Sequence, residues 1–257
     1  SLKFIRDIDS KWVNFLKLKF FDSTNLNIFI LLFIPGFSYC QELDVNFAWA
    51  KHMGGPSSFI RAHASSFDIN GNVYTTGYFA GTIDFDPDVF EIFNLTSDGN
   101  YDIFVTKIDS LGNFIWAKQF ISEGNDSGAG NDIVIDEIGN AYILGSFAGT
   151  IDFDPGVGFN YLTAYGNHDI FVSKISPMGE FIWAKQFGDE GDDFGYSMTL
   201  DENGYIYMSA NSTNCLIYKL DSQGSILWFK QIEQCINPSI KINDSGNVYL
   251  VGNFYGN

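Results

Sequence analysis

Basic residues are scarce in this chain. Its 257 residues carry 14 Lys and Arg against 31 Asp and Glu, a formal charge of −17. Backbone binding to nucleic acid needs clustered Lys and Arg, so the balance argues against a nucleic-acid partner. It also argues against an anionic membrane surface. Histidine is nearly absent, and His52, His63 and His168 are not spaced as metal ligands. No H-E-x-x-H or G-x-S-x-G occurs, which removes the usual zinc-protease and serine-hydrolase signatures. No stretch after residue 40 keeps a helical period. The longest unbroken apolar run, Ile28–Ile34, has seven residues, too few to span a bilayer.

That run has a meaning of its own. Lys17 and Lys19 precede it, and PGFSYC follows it up to Gln41. A basic segment, a short apolar core and small residues at Ser38 and Cys40 have the form of a secretory signal cleaved after Cys40. Residues 1–40 are therefore expected to be an upstream segment and signal peptide, and residues 41–257 an exported repeat region. A buried strand is the competing reading of the apolar run. A lipidated Cys40 fits less well, because Phe37 and Tyr39 stand where such signals prefer Leu and a small residue. Removing residues 1–40 takes away five basic and three acidic residues and moves the formal charge to −19. Cys215 and Cys235 remain. Export permits a disulfide. The expected hairpin places Cys215 opposite a residue near Lys230 and not opposite Cys235, which argues against a bridge.

What is abundant is repetition. FAWAK, FIWAKQF, FIWAKQF and ILWFKQI place Trp49, Trp116, Trp183 and Trp228 at spacings of 67, 67 and 45. An Asp/Asn-x-x-Gly phrase ending on Tyr recurs at Asp68–Tyr74, Asp136–Tyr142, Asp201–Tyr207 and Asn243–Tyr249. DIFVTKIDSLG, DIFVSKISPMG and CLIYKLDSQG form a third set. Each unit thus holds four short β-prone runs; in the first they are Ser65–Ile69, Asn72–Phe79, Asp102–Asp109 and Asn113–Phe120. Asp at the first turn position caps backbone two residues on, and Gly supplies the positive φ that closes the hairpin. Four antiparallel strands in 45 residues is the size of a propeller blade. The expected fold is all-β: four-stranded blades at about 47–120, 121–187 and 188–232, and a partial one at 233–257. NFYGN at the end matches YFAGT and SFAGT, so about three and a half blades, an incomplete propeller, are expected. A β-sandwich would not need one phrase at near-constant period.

The longer units add 22 residues between the second and third strands, and the addition contains GTIDFDP. WAKQFGDEGDDFGYSMTLDENGYIY, GYFAGTIDFDP and DIFVTKIDSLG together resemble the bacterial SBBP β-propeller repeats. They are most similar to the DFDPG-bearing versions in large secreted proteins of type IX-secreting bacteria. The resemblance spans about residues 47–257. It implies a propeller, export and often a C-terminal sorting domain; it is silent on substrate. The third unit departs from it by lacking DFDP.

Alternating strands put the insert and the loops between blades on one face. SEGNDSG (Ser122–Gly128) and DEGDDFG (Asp189–Gly195) are acidic too. In an extended IDFDP, Asp84 and Asp86 point one way, about 6.5–7 Å apart, and Ile83 and Phe85 the other. Such carboxylates suit Ca²⁺, which takes six to eight oxygens with loose geometry. The candidate ligands are Asp84, Asp86, Asp152 and Asp154, joined by Glu123, Asp126, Glu190 and Asp193. The competing reading is a structural turn in which Asp caps backbone amides beside a Phe plug. Paired carboxylates also occur in glycosidases, but Asp84 and Asp86 share one environment, unlike an acid/base pair. Regular aromatic residues at strand positions read as blade core. The expected function is a secreted or cell-surface, non-enzymatic scaffold for adhesion or recognition of an extracellular protein or polysaccharide. Its rivals are a polysaccharide hydrolase or lyase and a structural spacer in a large surface protein. An enzyme should show a non-repeated polar set at the channel mouth.

Overall fold

Short runs of Val, Ile, Phe, Tyr and Thr, cut by Asp-x-x-Gly turns, fold back on one another as successive hairpins. The structure, a computed structural model, describes residues 26–34, 37–45, 48–55 and 58–254. The chain divides into residues 1–49 and residues 50–257. In the first unit, β1 (Leu26–Ile34) and β2 (Phe37–Val45) form an antiparallel hairpin. The expected export signal falls on this unit, and residues 1–25 and 35–36 of it lie outside the described residues.

The second unit is all β. Its first sheet is built on β3 (Phe59–Phe67), β4 (Val73–Ala80), β7 (Asp102–Ile108) and β8 (Phe114–Ser122). The short β5 (Thr82–Asp84) and β6 (Asn94–Thr96) interrupt it in sequence. Then come β9 (Ser127–Ile135) and β10 (Ala141–Ala148), an insert of β11 (Thr150–Asp152) and β12 (Tyr161–Thr163), and β13 (Asp169–Ile175) and β14 (Phe181–Phe187). The third sheet, β15 (Phe194–Leu200), β16 (Ile206–Asn211), β17 (Cys215–Leu220) and β18 (Ile226–Ile232), has no insert. A pair, β19 (Cys235–Ile242) and β20 (Val248–Phe254), follows. Every pairing within these sheets is antiparallel, and each four-strand set runs in chain order, as in propeller blades. Among the described residues no helix is long and apolar enough to cross a membrane.

The turns form as their sequence requires. Asp68, Asp109, Asp136, Asp201 and Asp221 each accept, on Oδ1, backbone N–H bonds from residues two and four positions on. The glycine at the fourth position has φ between 76° and 89° in Gly71, Gly112, Gly139, Gly204 and Gly224. Above the turn, Lys107 lies over Tyr74 and Lys174 over Tyr142, at 4.7 and 4.5 Å from the ring centres. Tyr74, Tyr142 and Tyr207 meet Trp116, Trp183 and Trp228 edge to face. The indoles also tie blades together. Trp116 Nε1 donates to Pro177 O at 3.1 Å, and Trp183 Nε1 to Ser222 O at 3.3 Å, each carbonyl lying in the next blade's turn.

The innermost strands β3, β9, β15 and β19 pack on one another in succession. Each carries a bulge, at His63, Asn131, Tyr196 and Asn237–Pro238. His63 Nδ1 lies 3.1 Å from Gly130 O, and Asn131 Nδ2 donates to Gly195 O at 2.8 Å, so bulges are linked from blade to blade. The bulge explains why the first strand starts earlier, at Phe59, than the pattern predicted: an extra residue breaks the alternation. It also fixes Gly77 and Gly145 on the partner strands. A Cβ there would sit 1.9 Å from Arg61 O and 2.0 Å from Ala129 O.

One sequence expectation fails. Cys215 and Cys235 are bridged, with Cα atoms 5.3 Å apart. Within its hairpin Cys215 does face elsewhere, opposite Ile232. The hairpin register was the wrong frame, because the bridge leaves that sheet and joins β17 to β19 of the next. Positive φ at Gln234 (57°) turns the chain from one to the other.

Candidate functional site

The repeated FAGTIDFDP occupies the same place twice. Gly81 and Gly149, at φ 78° and 75°, turn the chain out of the second strand. Thr82 and Thr150 then pair with Thr96 and Thr163, their hydroxyls 2.9 Å apart in both copies. The insert strand does not stay within its own blade. Ile151 and Asp152 pair with Ser122 and Ile121, the end of β8 in the preceding blade, so one sheet runs β12-β11-β8-β7-β4-β3. In the first copy Asp84 bridges Gly54, which stands five residues after Trp49 as Ile121 stands after Trp116. The insert is thus a latch onto the blade before.

Its plug is the phenylalanine between the aspartates. Phe153 is fully buried, 5.3 Å from the Phe120 ring of the preceding blade and 4.8 Å from Phe171 of its own. Phe85 packs likewise against Phe79 and Phe104, in a cluster that Met53 also joins. Beneath the plugs the sheet is small: Thr106 faces Ala117, and Ser173 faces Ala184. The Thr106 and Ser173 hydroxyls are buried without partners.

The aspartates hold backbone. Asp84 Oδ1 accepts from Asp86 N and Phe93 N at 3.1 and 2.9 Å, and Asp152 Oδ1 from Asp154 N and Asn160 N at 3.0 and 2.7 Å. Asp86 and Asp154 cap Asp88 N and Gly156 N in turn. These bonds bend the chain out of the strand after Asp84, so Asp84 and Asp86 serve successive turns instead of standing side by side on one extended strand. Asp126 Oδ2 accepts from Thr150 N at 2.8 Å, which brings the loop between blades to the insert as expected. Glu123 and Glu190 are exposed, and Asp193 is buried against its own loop, capping Asp189 N at 2.9 Å. The eight candidate ligands are therefore spread along the rim. Among the described residues, no three His, Cys, Asp or Glu are grouped to hold a metal ion.

Two carboxylates central to the latch were not singled out from the sequence. Asp102 and Asp169 are fully buried. Asp102 accepts from Ser122 N and Oγ, Asp98 N and Gln119 Nε2. Asp169 accepts from Tyr165 N, Gly166 N and Gln186 Nε2. Burial pushes the Asp102 carboxyl up, and the Ser122 bonds oppose it. Burial likewise pushes Asp193 up. The signal was present in the repeated DIFV: an Asp opening a wholly buried strand needs partners. Gln119 and Gln186 also donate to Thr96 O and Thr163 O, pinning the far strand of each insert.

The insert tips were missed as well. Val89, Phe90 and Ile92 in one, and Val157, Phe159 and Tyr161 in the other, stand exposed on the locked frame. Phe159 and Tyr161 stack at 5.7 Å with planes 7° apart. They lie just past DFDP, where the two copies diverge in sequence and periodicity gives no signal.

The blade core has known relatives. Residues 182–215 match the beta-propeller repeat family SBBP. The matched stretch runs from β14 to the start of β17 and contains no insert, so the match concerns the blade and not the rim. The chain is also 22% identical over 253 residues to an uncharacterized WD repeat-containing protein of Acanthamoeba polyphaga mimivirus, covering 79% of this chain. It spans only 17% of that relative's length. Among solved structures it is similar to a protein of unknown function from Bacteroides caccae, at 11% identity and a TM-score of 0.37, with 82% of this chain and 73% of that one covered.

Proposed function

We propose that this chain is a non-enzymatic, exported recognition scaffold. In this reading the blades are the frame and the insert tips are the contact surface for an extracellular protein or polysaccharide. The observation that carries it is the pairing of a fixed base with an exposed tip. Each insert is anchored by a buried Phe and by carboxylates that cap backbone amides, while Phe90, Ile92, Phe159 and Tyr161 face solvent beyond it. Apolar and aromatic side chains gathered on a rim mark interaction surfaces more often than they mark folding. Rigid support limits the entropy lost on binding.

The same geometry favours the turn-capping role of DFDP over a cation site. Both Oδ1 atoms at the base of the inserts already accept two amides each. The hydrolase reading needs two carboxyls in unlike surroundings; Asp84 and Asp86 both cap backbone amides of the same insert.

The test is retention without turnover. The chain is run through gels containing soluble extracellular polysaccharides, and over immobilised extracellular proteins, while reducing-end release is assayed in parallel. Retention is expected for at least one partner, with no release of reducing ends. Phe159→Ser/Tyr161→Ser should abolish it and leave thermal stability unchanged. Steady release of reducing ends, lost in Asp152→Asn, would replace this reading by the hydrolase.

A further inference from the structure

The third blade lacks the insert, and the slot that inserts fill in the first two blades is open there. A cleft of about 260 Å³ lies between Gly188 and Asp189 on one side and Tyr218, Phe229 and Gln231 on the other. Gly188 and Asp189 stand five and six residues after Trp183, as Ile121 and Ser122 stand after Trp116. Ile121 and Ser122 are strand residues paired with an insert; Gly188 and Asp189 lie beyond the end of β14 and pair with no strand. Gln231 holds the position of Gln119 and Gln186. Those two donate to the carbonyls of Thr96 and Thr163 in the bound insert strands. The Gln231 side chain has no insert to hold and lines the open cleft. The floor is partly filled: Tyr218 and Phe229 replace the small pairs Thr106–Ala117 and Ser173–Ala184, and their rings stack at 5.9 Å.

The geometry points to this cleft as a docking slot for an extended peptide strand of another protein, one that is basic and carries a small branched apolar side chain between its charges. The strand would add to the end of β14 at Gly188–Asp189, as β11 adds to β8 one blade earlier, and its continuation would run across the cleft toward Gln231, whose counterpart Gln186 holds β12. Backbone pairing selects an extended peptide over a saccharide. The floor selects Val or Ile over Phe, because Tyr218 already stands against Phe187 at 5.7 Å, as the plug Phe153 stands against Phe120. Asp189 in the lining and the exposed Glu190 beside it select a cation-bearing strand; Asp193 is buried and caps the Asp189 amide, and Asp192 is held by His168. The proposal concerns a different surface from the insert tips and does not depend on them.

The probe is the synthetic peptide GTIKVKPG, the insert phrase with Lys for Asp and Val for Phe. Its control is GTPKPKPG, which has the same charge and cannot pair as a strand. Anisotropy of the labelled peptides with the full chain should show saturable binding of the first and none of the second. Hydrogen exchange should show new protection at Gly188, while the Asp189 amide, already held by Asp193 Oδ2, stays as it was. Gln231→Ala should weaken binding about fivefold, the worth of one hydrogen bond, while Gln223→Ala, on a remote turn, leaves it unchanged. No binding at millimolar peptide overturns the proposal. So does equal binding of the control, which would mean charge alone, or protection of the same amide by a neutral oligosaccharide instead.

Discussion

The second and third blades solve one problem in two ways. Both must secure the junction with the blade before and cover the outer part of the sheet. The second does it with an insert: Phe153 seated over Ser173 and Ala184, a strand added to β8, and Asp169 gathering the loop amides. The third has a three-residue loop, Ser212–Asn214, in its place. There the cross-strand pair becomes Tyr218–Phe229, and Tyr218 fills part of the space by packing on Phe187. The position of Asp102 and Asp169 becomes Asn214, because no ring of insert amides is left to hold a buried charge. A disulfide from Cys215 to Cys235 then supplies the link to the following sheet. The small pair under the insert and the large pair without it belong to one design, read within a single chain.

The largest effect that should separate the two blades is the loss of the plug. Phe153→Ala removes a fully buried ring at the junction and should cost about 4 kcal/mol in urea unfolding. A cost below about 1 kcal/mol would mean that the insert merely rests on the sheet.

Reduction tests the other side. The bridge closes a loop with a sequence separation of 20, so reducing it, or Cys215→Ala/Cys235→Ala, should lower stability by about 3 kcal/mol. Hydrogen exchange should place the loss at the junction of the third sheet with β19–β20 and leave the insert junctions as they were.

Acidity sharpens the contrast between Asp102 and the turn aspartates. A carboxyl raised by burial in the folded state contributes stability that is complete below its unfolded value, near about 3.8, and lost as pH rises through its folded value. Asp102→Asn should therefore reduce the fall in stability seen as pH rises from acid toward neutral. Asp109 and Asp221 are shifted down, chiefly by amides of Asn113 and Ser225. Their contribution is present above the ordinary carboxylate value and lost as pH falls through the lowered one. Titration of unfolding free energy in the variants reads both signs.

Smaller still is the effect of the buried hydroxyl. Ser173→Ala removes a buried polar atom without a partner, so thermal unfolding should rise or stay level, within about 1 kcal/mol. Calcium should change nothing if DFDP caps turns, whereas a cation site would raise the melting temperature at millimolar Ca²⁺ and lose that rise in Asp84→Asn/Asp152→Asn.

Much of this frame was legible in the sequence, and for a physical reason. The Asp-x-x-Gly turns and the Trp strands are local: a few adjacent residues fix the conformation, so the words carry the structure. The place of the insert between the second and third strands followed from the 67 and 45 spacings. What was hidden is non-local. Two residues of β11 pairing with the previous blade leave no periodic mark. The Cys215–Cys235 bridge crosses between sheets, so hairpin register was silent about it. Asp102 looked like one more acidic residue until its four donors met in space. The exposed tip residues Phe159 and Tyr161 were hidden by the opposite habit, in which aromatic residues among strands are taken for core.

The most direct test exchanges the two solutions. Residues 150–163 of the second blade are replaced by a short loop, with and without Ser173→Tyr/Ala184→Phe, and the chemical unfolding of both chains is measured. If the large pair takes over the plug's role, the deletion alone should lose about 4 kcal/mol and the added pair should return at least half of it. If the pair returns nothing, or destabilises the deleted chain further, then Tyr218 and Phe229 do not stand in for the insert, and the two blades are not alternative forms of one junction.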